Sequence, residues 1–333
     1  MKYRTLGKTN LEVSEIGLGT WQLGNADWGV VEEKEAIAVL HAAVDNGVNL
    51  LDTANVYGLG VSEQVIGKFL KETKAEVHVA TKLGREIWVE LNGWPERFSL
   101  EMVRHATQES LKNLGVESVF LQQWHCVPPE MYKEGEIFEH LESIKKEGLI
   151  QHWGCSVESV EEGLVCAAHP GCAALQVIFN IFRQKLIGEL FPACVENNVG
   201  ILARVPLASG MLTGKIKRDT TFAETDHRNY NPGGKAFNAG ETFGGLTQEQ
   251  GVTCAEKARE ILPDIDGADM AQLALRWILD HESVSTVIPG ATRKSQVESN
   301  VGASDLAPLA QAVHEELNRL YKSEIESCIA GVY

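Results

Sequence analysis

Short apolar runs alternate with longer amphipathic stretches along most of this chain. Eight runs have the length and composition of strands: Ile16–Gly19, Val48–Asp52, Val77–Lys82, Val119–His125, Gln151–Cys155, Ala174–Asn180, Gly200–Arg204 and Thr286–Pro289. Most are rich in Val, Ile and Leu, as expected of strands buried on both faces of a parallel sheet. The stretches between them carry helical periodicity and helix ends. Glu33–Asn46 repeats Ile37, Leu40, Ala43 and Val44 and stops at Gly47, a residue that tolerates the left-handed conformation beyond a helix end. Ser99 is placed to cap a helix over Leu100–Leu114 that ends at Gly115. Thr247 and Gln250 have the spacing of a capping box.

Eight strands alternating with helices leave two architectures, an open doubly wound sheet or a closed barrel. No abrupt change of composition and no Pro/Gly/Ser-rich linker divides the chain, which favours the barrel. The expectation is an α/β fold, a (β/α)8 TIM barrel, with residues 1–333 as a single domain. Two stretches depart from the alternation. Met1–Val13 reads as an N-terminal hairpin that closes the barrel floor. Pro206–Leu246, after the seventh barrel strand, is long, polar and glycine-rich, with pairs at Gly233–Gly234 and Gly244–Gly245. A loop of that length is a functional lid or a disordered segment.

In such a barrel the C-terminal ends of the strands converge on one mouth. Those ends carry Asp52 with nearby Tyr57, then Lys82, then His125. Taken singly, each has a plain structural explanation: a helix cap, a packed ring, a surface charge, a core histidine. Together they form a proton-handling set. Tyrosine titrates near ~10 in water, and a lysine cation beside it favours the phenolate. Asp52 would hold Lys82 charged, and His125 could donate to a carbonyl oxygen and orient it.

Composition narrows the function classes. Hydrophobic residues make up 44% and charged residues 23%, an ordinary globular balance. The formal charge of −16, from 46 acidic and 30 basic residues, repels nucleic-acid phosphates and anionic lipid, so neither is expected as a partner. Seven scattered cysteines without a C-x-x-C read as reduced thiols. With no apolar leader segment and no long apolar run, they point to the cytoplasm. Gly17-Leu18-Gly19 suggests a dinucleotide fingerprint, but Gln22 stands where its third glycine belongs and no helix opens there. H-E-x-x-H, C-x-x-C and EF-hand spacings are absent, so no metal is expected. G-x-S-x-G is absent as well.

Longer segments carry a family resemblance. GLGTWQLG (Gly17–Gly24), LDTANVYGLGVSE (Leu51–Glu63), ATKLG (Ala80–Gly84), LQQWHCV (Leu121–Val127), GCS (Gly154–Ser156), LASGMLTGK (Leu207–Lys215) and VIPGA (Val287–Ala291) resemble the aldo-keto reductases along nearly the whole chain. The segment Thr221–Arg228 resembles a bacterial branch related to stress and inositol-catabolism reductases.

The resemblance implies a barrel that binds NADPH in extended form across its mouth, with NADH as the alternative. It implies hydride transfer between nicotinamide and an aldehyde, ketone or sugar carbonyl, with Asp52, Tyr57, Lys82 and His125 as the catalytic set and Tyr57 as general acid. Ser156 and Gln176 would bond the nicotinamide carboxamide, with Val157 replacing the usual asparagine. Arg204 stands where an aromatic ring commonly stacks on the nicotinamide. Pro206, Leu207, Ser209, Gly210 and Lys215 would meet the cofactor from the long loop. Gly290 replaces a common lysine, leaving Arg293, Gln296 and Asn300 for the 2′-phosphate and adenosine; Arg293 reads equally as a solvated charge at a helix start. Trp21, Trp28 and Trp88, with Trp94, would line the substrate pocket or pack their loops. Trp124, one step before His125, should face the barrel–helix layer instead. Two other readings stand beside a reductase: a cofactor-sensing or regulatory barrel subunit with little turnover, and a sugar dehydrogenase working in the oxidative direction. Relatives range from monomers to larger assemblies, so an oligomer is compatible with the resemblance.

Overall fold

The computed structural model describes residues 1–24, 31–85 and 98–333, so Trp28, Trp88 and Trp94 lie outside the described residues. Among the described residues ten strands follow one another: β1 (Tyr3–Thr5), β2 (Glu12–Ser14), β3 (Leu18–Gly19), β4 (Leu50–Asp52), β5 (His78–Leu83), β6 (Val119–His125), β7 (Ile150–Ser156), β8 (Cys172–Ile178), β9 (Gly200–Arg204) and β10 (Val284–Val287). The last eight pair in chain order, each parallel to its neighbour.

The sheet closes on itself. Parallel bridges join Ile16 to Val287 and Gly19 to Gly290. The Gly17 N–H donates to the Val287 carbonyl and the Val287 N–H to that of Glu15, each at 2.8 Å. Closure demands close approach: a Cβ at Gly19 would lie 2.9 Å from the Ile288 carbonyl oxygen, so glycine is required there. This crowded seam explains why β3 is shorter than the Ile16–Gly19 run.

Strand periodicity sets what faces the barrel axis. Leu50, Ala80, Leu121, Ala174 and Leu202 form one apolar cluster with Leu6 and Val13 of the N-terminal hairpin. That hairpin pairs Tyr3 with Ser14 and Thr5 with Glu12. It covers the floor, as expected from residues 1–13. Two residues further along the same strands come Asp52, Lys82, Gln123, Gln176 and Arg204, all buried. The interior is apolar below and polar above, and the chemistry is lifted to the C-terminal end.

The neighbouring side chains on each strand face the helices. Trp124 is fully buried there, its indole N–H donating to the Ile137 carbonyl at 3.1 Å. Helix ends follow their local chemistry. Ser99 accepts from the Met102 N–H at the start of Leu100–Leu114, and Gly115 ends that helix at φ +68°. Thr247 and Gln250 form the capping box of Gln248–Ile261.

The long loop has local structure of its own. It carries tight turns at Ala208–Thr213, Ala239–Glu241 and Phe243–Gly245 and a short helix at His227–Tyr230. The C-terminal tail braces it: buried Arg183 donates to the carbonyls of Gly244 (3.3 Å) and Val332 (3.0 Å) and lies 4.0 Å from the Tyr333 ring. No described helix is long and apolar enough to cross a membrane.

Candidate active site

A cavity of about 1430 Å³ opens at the C-terminal mouth, lined among others by Trp21, Asp52, Tyr57, His125, Gln176 and Arg204. Lys82 stands behind this lining with no exposed surface. Its ammonium uses three hydrogens in three directions: Asp52 Oδ2 at 2.8 Å, the Thr53 carbonyl at 2.8 Å and the Tyr57 hydroxyl at 3.2 Å. The other Asp52 oxygen accepts from the Gln176 side-chain amide at 2.7 Å. Tyr57 is flanked by two rings, Trp21 stacked at 6.0 Å and His125 edge-on at 6.0 Å. The four residues expected to act together are therefore gathered at one point.

Their electrostatics differ in one respect from the sequence expectation. The Tyr57 hydroxyl is held above its ordinary pKa rather than below it, because burial disfavours the phenolate more than the Lys82 cation favours it. Burial also opposes the charge on Lys82, but Asp52 and Tyr57 outweigh it and raise its pKa. His125 is pushed well below its usual value, first by burial and then by Arg85, Lys82 and Arg204. Its Nδ1 is buried without a hydrogen-bond partner. The site thus presents a neutral phenol and a neutral imidazole beside a buried cation.

The expected cofactor residues divide into two groups. Gln176, Arg204, Pro206, Leu207, Ser209, Gly210, Lys215, Gly290, Arg293, Gln296 and Asn300 all border the cavity. Ser156 does not; it is 1% exposed, and its hydroxyl lies 3.5 Å from the Cys126 sulfur. The Gln296 side-chain oxygen Oε1 is already committed to the start of the helix Lys294–Gly302, accepting from the N–H groups of Thr292 (2.8 Å) and Arg293 (3.2 Å). That leaves its side chain to shape the helix start, with exposed Arg293 beside it. At Gly290, a Cβ would meet the Gln22 side-chain amide at 2.1 Å, so a lysine there would require the Gln22 side chain to swing aside. Arg204 is also engaged: it pairs with Glu241 of the long loop and donates to the Val157 carbonyl at 3.4 Å.

Four site residues were not singled out from the sequence: Arg85, Cys126, Glu158 and Glu241. Arg85 donates to Glu158 at 2.8 Å. Cys126, at φ +51°, lies 3.5 Å from an Arg204 nitrogen. All four border the cavity. Position relative to a strand end could have suggested Arg85, which follows Gly84 directly after β5; nothing local marks Glu241.

The donor set fits an extended dinucleotide. Lys215 and Arg293 offer cations to the cavity, and the N-terminal end of Lys294–Gly302 borders it. Tyr57 and His125 line the same cavity.

Residues 15–322 match the model of the aldo/keto reductase family. The chain is 29% identical over 309 residues to aldo-keto reductase YhdN of Bacillus subtilis, covering 90% of this chain and 87% of that protein. It is 29% identical over 339 residues to an NADH-specific methylglyoxal reductase of Escherichia coli, covering 96% and 100%. Its backbone is similar to that of the glycerol dehydrogenase AKR11B4 from Gluconobacter oxydans, with a TM-score of 0.79, 27% identity and coverage of 99% and 98%.

Proposed function

The chain belongs to the aldo/keto reductase family, and on that premise we propose that it is an NADPH-preferring carbonyl reductase with Tyr57 as its proton donor. The observation that carries this reading is the contact of one buried ammonium, Lys82, with both Asp52 and the Tyr57 hydroxyl at the wall of the cavity. When bound, the nicotinamide supplies the hydride that reduces the carbonyl carbon. The protein's own residues manage the oxygen. Tyr57 gives its proton to the developing alkoxide, and Lys82 stabilises the phenolate left behind. Asp52 fixes Lys82, and neutral His125 orients the carbonyl by a hydrogen bond.

Arg293 and the helix start beside it support a preference for the 2′-phosphate of NADPH. Gly290, which brings no cation to the cavity, supports a modest preference and leaves NADH usable. All seven cysteines are free, which supports a reducing compartment, the cytoplasm. The polyol specificity in the name of the structural neighbour supports a second direction, oxidation of a hydroxyl, through the same four residues. The test is turnover of aldehyde, ketone, sugar and polyol panels with each cofactor. Carbonyl reduction faster with NADPH than with NADH is the expected result; absence of turnover in both directions overturns the assignment.

A further inference from the structure

Gln176 lies on the far side of the barrel from Asp52, 124 residues away in sequence, yet its amide N–H donates to Asp52 Oδ1 at 2.7 Å. Both are nearly fully buried, at 1% and 3% exposure. The second Asp52 oxygen accepts from Lys82, and Lys82 donates to Tyr57. An unbroken chain of hydrogen bonds therefore runs Gln176–Asp52–Lys82–Tyr57 from β8 through β4 to the proton donor.

Gln176 also borders the cavity and is fixed from its own backbone, whose carbonyl accepts from the Val157 N–H at 3.0 Å. An amide has two N–H donors and a carbonyl acceptor, so a bond to Asp52 leaves one donor and the acceptor for a ligand. Only one orientation serves Asp52, because the amide oxygen facing a carboxylate would repel it. The amide orientation is thus set by the catalytic carboxylate.

We propose that Gln176 is a positioning residue for catalysis, holding Asp52 and through it the Lys82–Tyr57 pair, in addition to any contact with the cofactor. A ligand amide donating to the Gln176 oxygen polarises the side chain and strengthens its N–H bond to Asp52. Occupancy of the nicotinamide position is in this way transmitted to the proton donor. This inference rests on the reductase reading for its kinetic consequence, but the contact itself can be tested without turnover.

The kinetic arm compares Gln176→Met and Gln176→Glu with the parent at saturating NADPH across a pH series. In Gln176→Met, Asp52 loses its neutral donor. kcat should fall at least about tenfold, and its acid limb should move to higher pH. In Gln176→Glu, a protonated carboxyl can still donate to Asp52, but ionisation sets two carboxylates against each other. Its kcat should decline with rising pH where the parent is flat. A residue that only binds the cofactor would raise the KM for NADPH and leave the pH profile of kcat unchanged.

The stability arm follows thermal unfolding of Gln176→Glu and the double variant Asp52→Asn/Gln176→Glu. The single variant should lose Tm between about pH 5 and pH 8 as the like charges form. The double variant restores a neutral donor opposite a carboxylate with the roles exchanged, and should recover most of that pH-dependent loss when each variant is measured against its own Tm at about pH 5, a reference that absorbs the loss of the Asp52–Lys82 pair. Parent turnover with unshifted pH profiles in both single variants overturns the proposal. An inactive parent defeats the reductase reading alone, and the stability arm then decides: recovery in the double variant upholds the Gln176–Asp52 contact, and no recovery overturns it.

Discussion

Arg204, the last residue of β9, forms a buried ion pair with Glu241, which arrives from the loop 37 residues further along the chain. Each side chain retains only 9% of its exposure. The same stretch of loop is held by Ser209, whose hydroxyl donates to the Glu241 carbonyl at 2.7 Å. The loop is therefore fastened across the cavity by a charge pair at the active mouth.

Glu241→Ala would leave the Arg204 guanidinium buried beside Arg85 without its main counter-charge. Breaking one partner of a buried pair costs roughly 3–5 kcal/mol. Urea unfolding at pH 7 should show a loss of that order, and trypsin should cut residues 206–246 faster. The Glu241 carboxyl sits below its usual range: burial opposes ionisation, but Arg204 and Arg85 outweigh it. Its contribution is full above the unfolded value of ~4.3 and is lost as pH falls through the lower folded value. The stability difference between parent and variant should therefore shrink in acid. Equal proteolysis of the two proteins at pH 7 would show that the pair does not hold the loop.

Tyr57→Phe removes the hydroxyl on Lys82 and leaves the ring between Trp21 and His125. A positioned general acid contributes on the order of 10²–10⁴ in rate, so turnover should fall by about that factor. NADPH binding should be almost unchanged. Burial holds the phenol protonated, so with chemistry rate-limiting, reduction should stay constant from neutral pH up to about 10, where a free tyrosine loses its proton. A steep loss of kcat already between pH 7 and 8 would point to a different acid.

The strands and their ends were legible because buried parallel strands leave continuous apolar runs. Val119–His125 and Gly200–Arg204 occupy the expected residues. Asp52, Tyr57, Lys82 and His125 were legible for the same reason, since the strand ends fix where they converge. Arg85–Glu158 and Arg204–Glu241 were not, because pairs 73 and 37 residues apart have no period to reveal them. The direction of the Tyr57 shift was missed because the Lys82 charge can be read from neighbouring strand ends, whereas the depth of burial emerges only from the assembled barrel.

His281 packs among aromatic rings, 4.9 Å from Trp277 and 5.0 Å from Phe179. Its Nε2 is buried without a hydrogen-bond partner. Burial, and then His314, lower its pKa to about 4, against a smaller opposing effect of Asp280. The unfolded chain binds a proton near ~6.5 that the native protein refuses, so stability is full above that value and is lost as pH falls toward about 4. The loss amounts to at most about 3 kcal/mol. His281→Phe should keep the aromatic packing and flatten the pH dependence of stability between pH 4 and 6.5. The depressed values of His125, His78 and His152 leave part of the slope in place. An unaltered slope in denaturation curves of His281→Phe would mean this imidazole is protonated in the native protein.

On the proposed reading, Arg293 discriminates between the two nicotinamide cofactors. It stands exposed at the mouth of the cavity, immediately before the helix Lys294–Gly302, whose N-terminal end would favour an anion bound there. A guanidinium can meet two oxygens of the NADPH 2′-phosphate, which NADH lacks. Arg293→Ala should weaken NADPH binding by roughly 10- to 150-fold and leave NADH almost unaffected. Gln296→Ala should act differently. Its oxygen caps the helix start at Thr292 and Arg293, so its loss would loosen the whole turn and weaken both cofactors together. Fluorescence titration of each variant with each cofactor separates these outcomes. Equal losses in Arg293→Ala would place its guanidinium on the shared diphosphate, and unchanged NADPH affinity would leave it a solvated charge at the helix start.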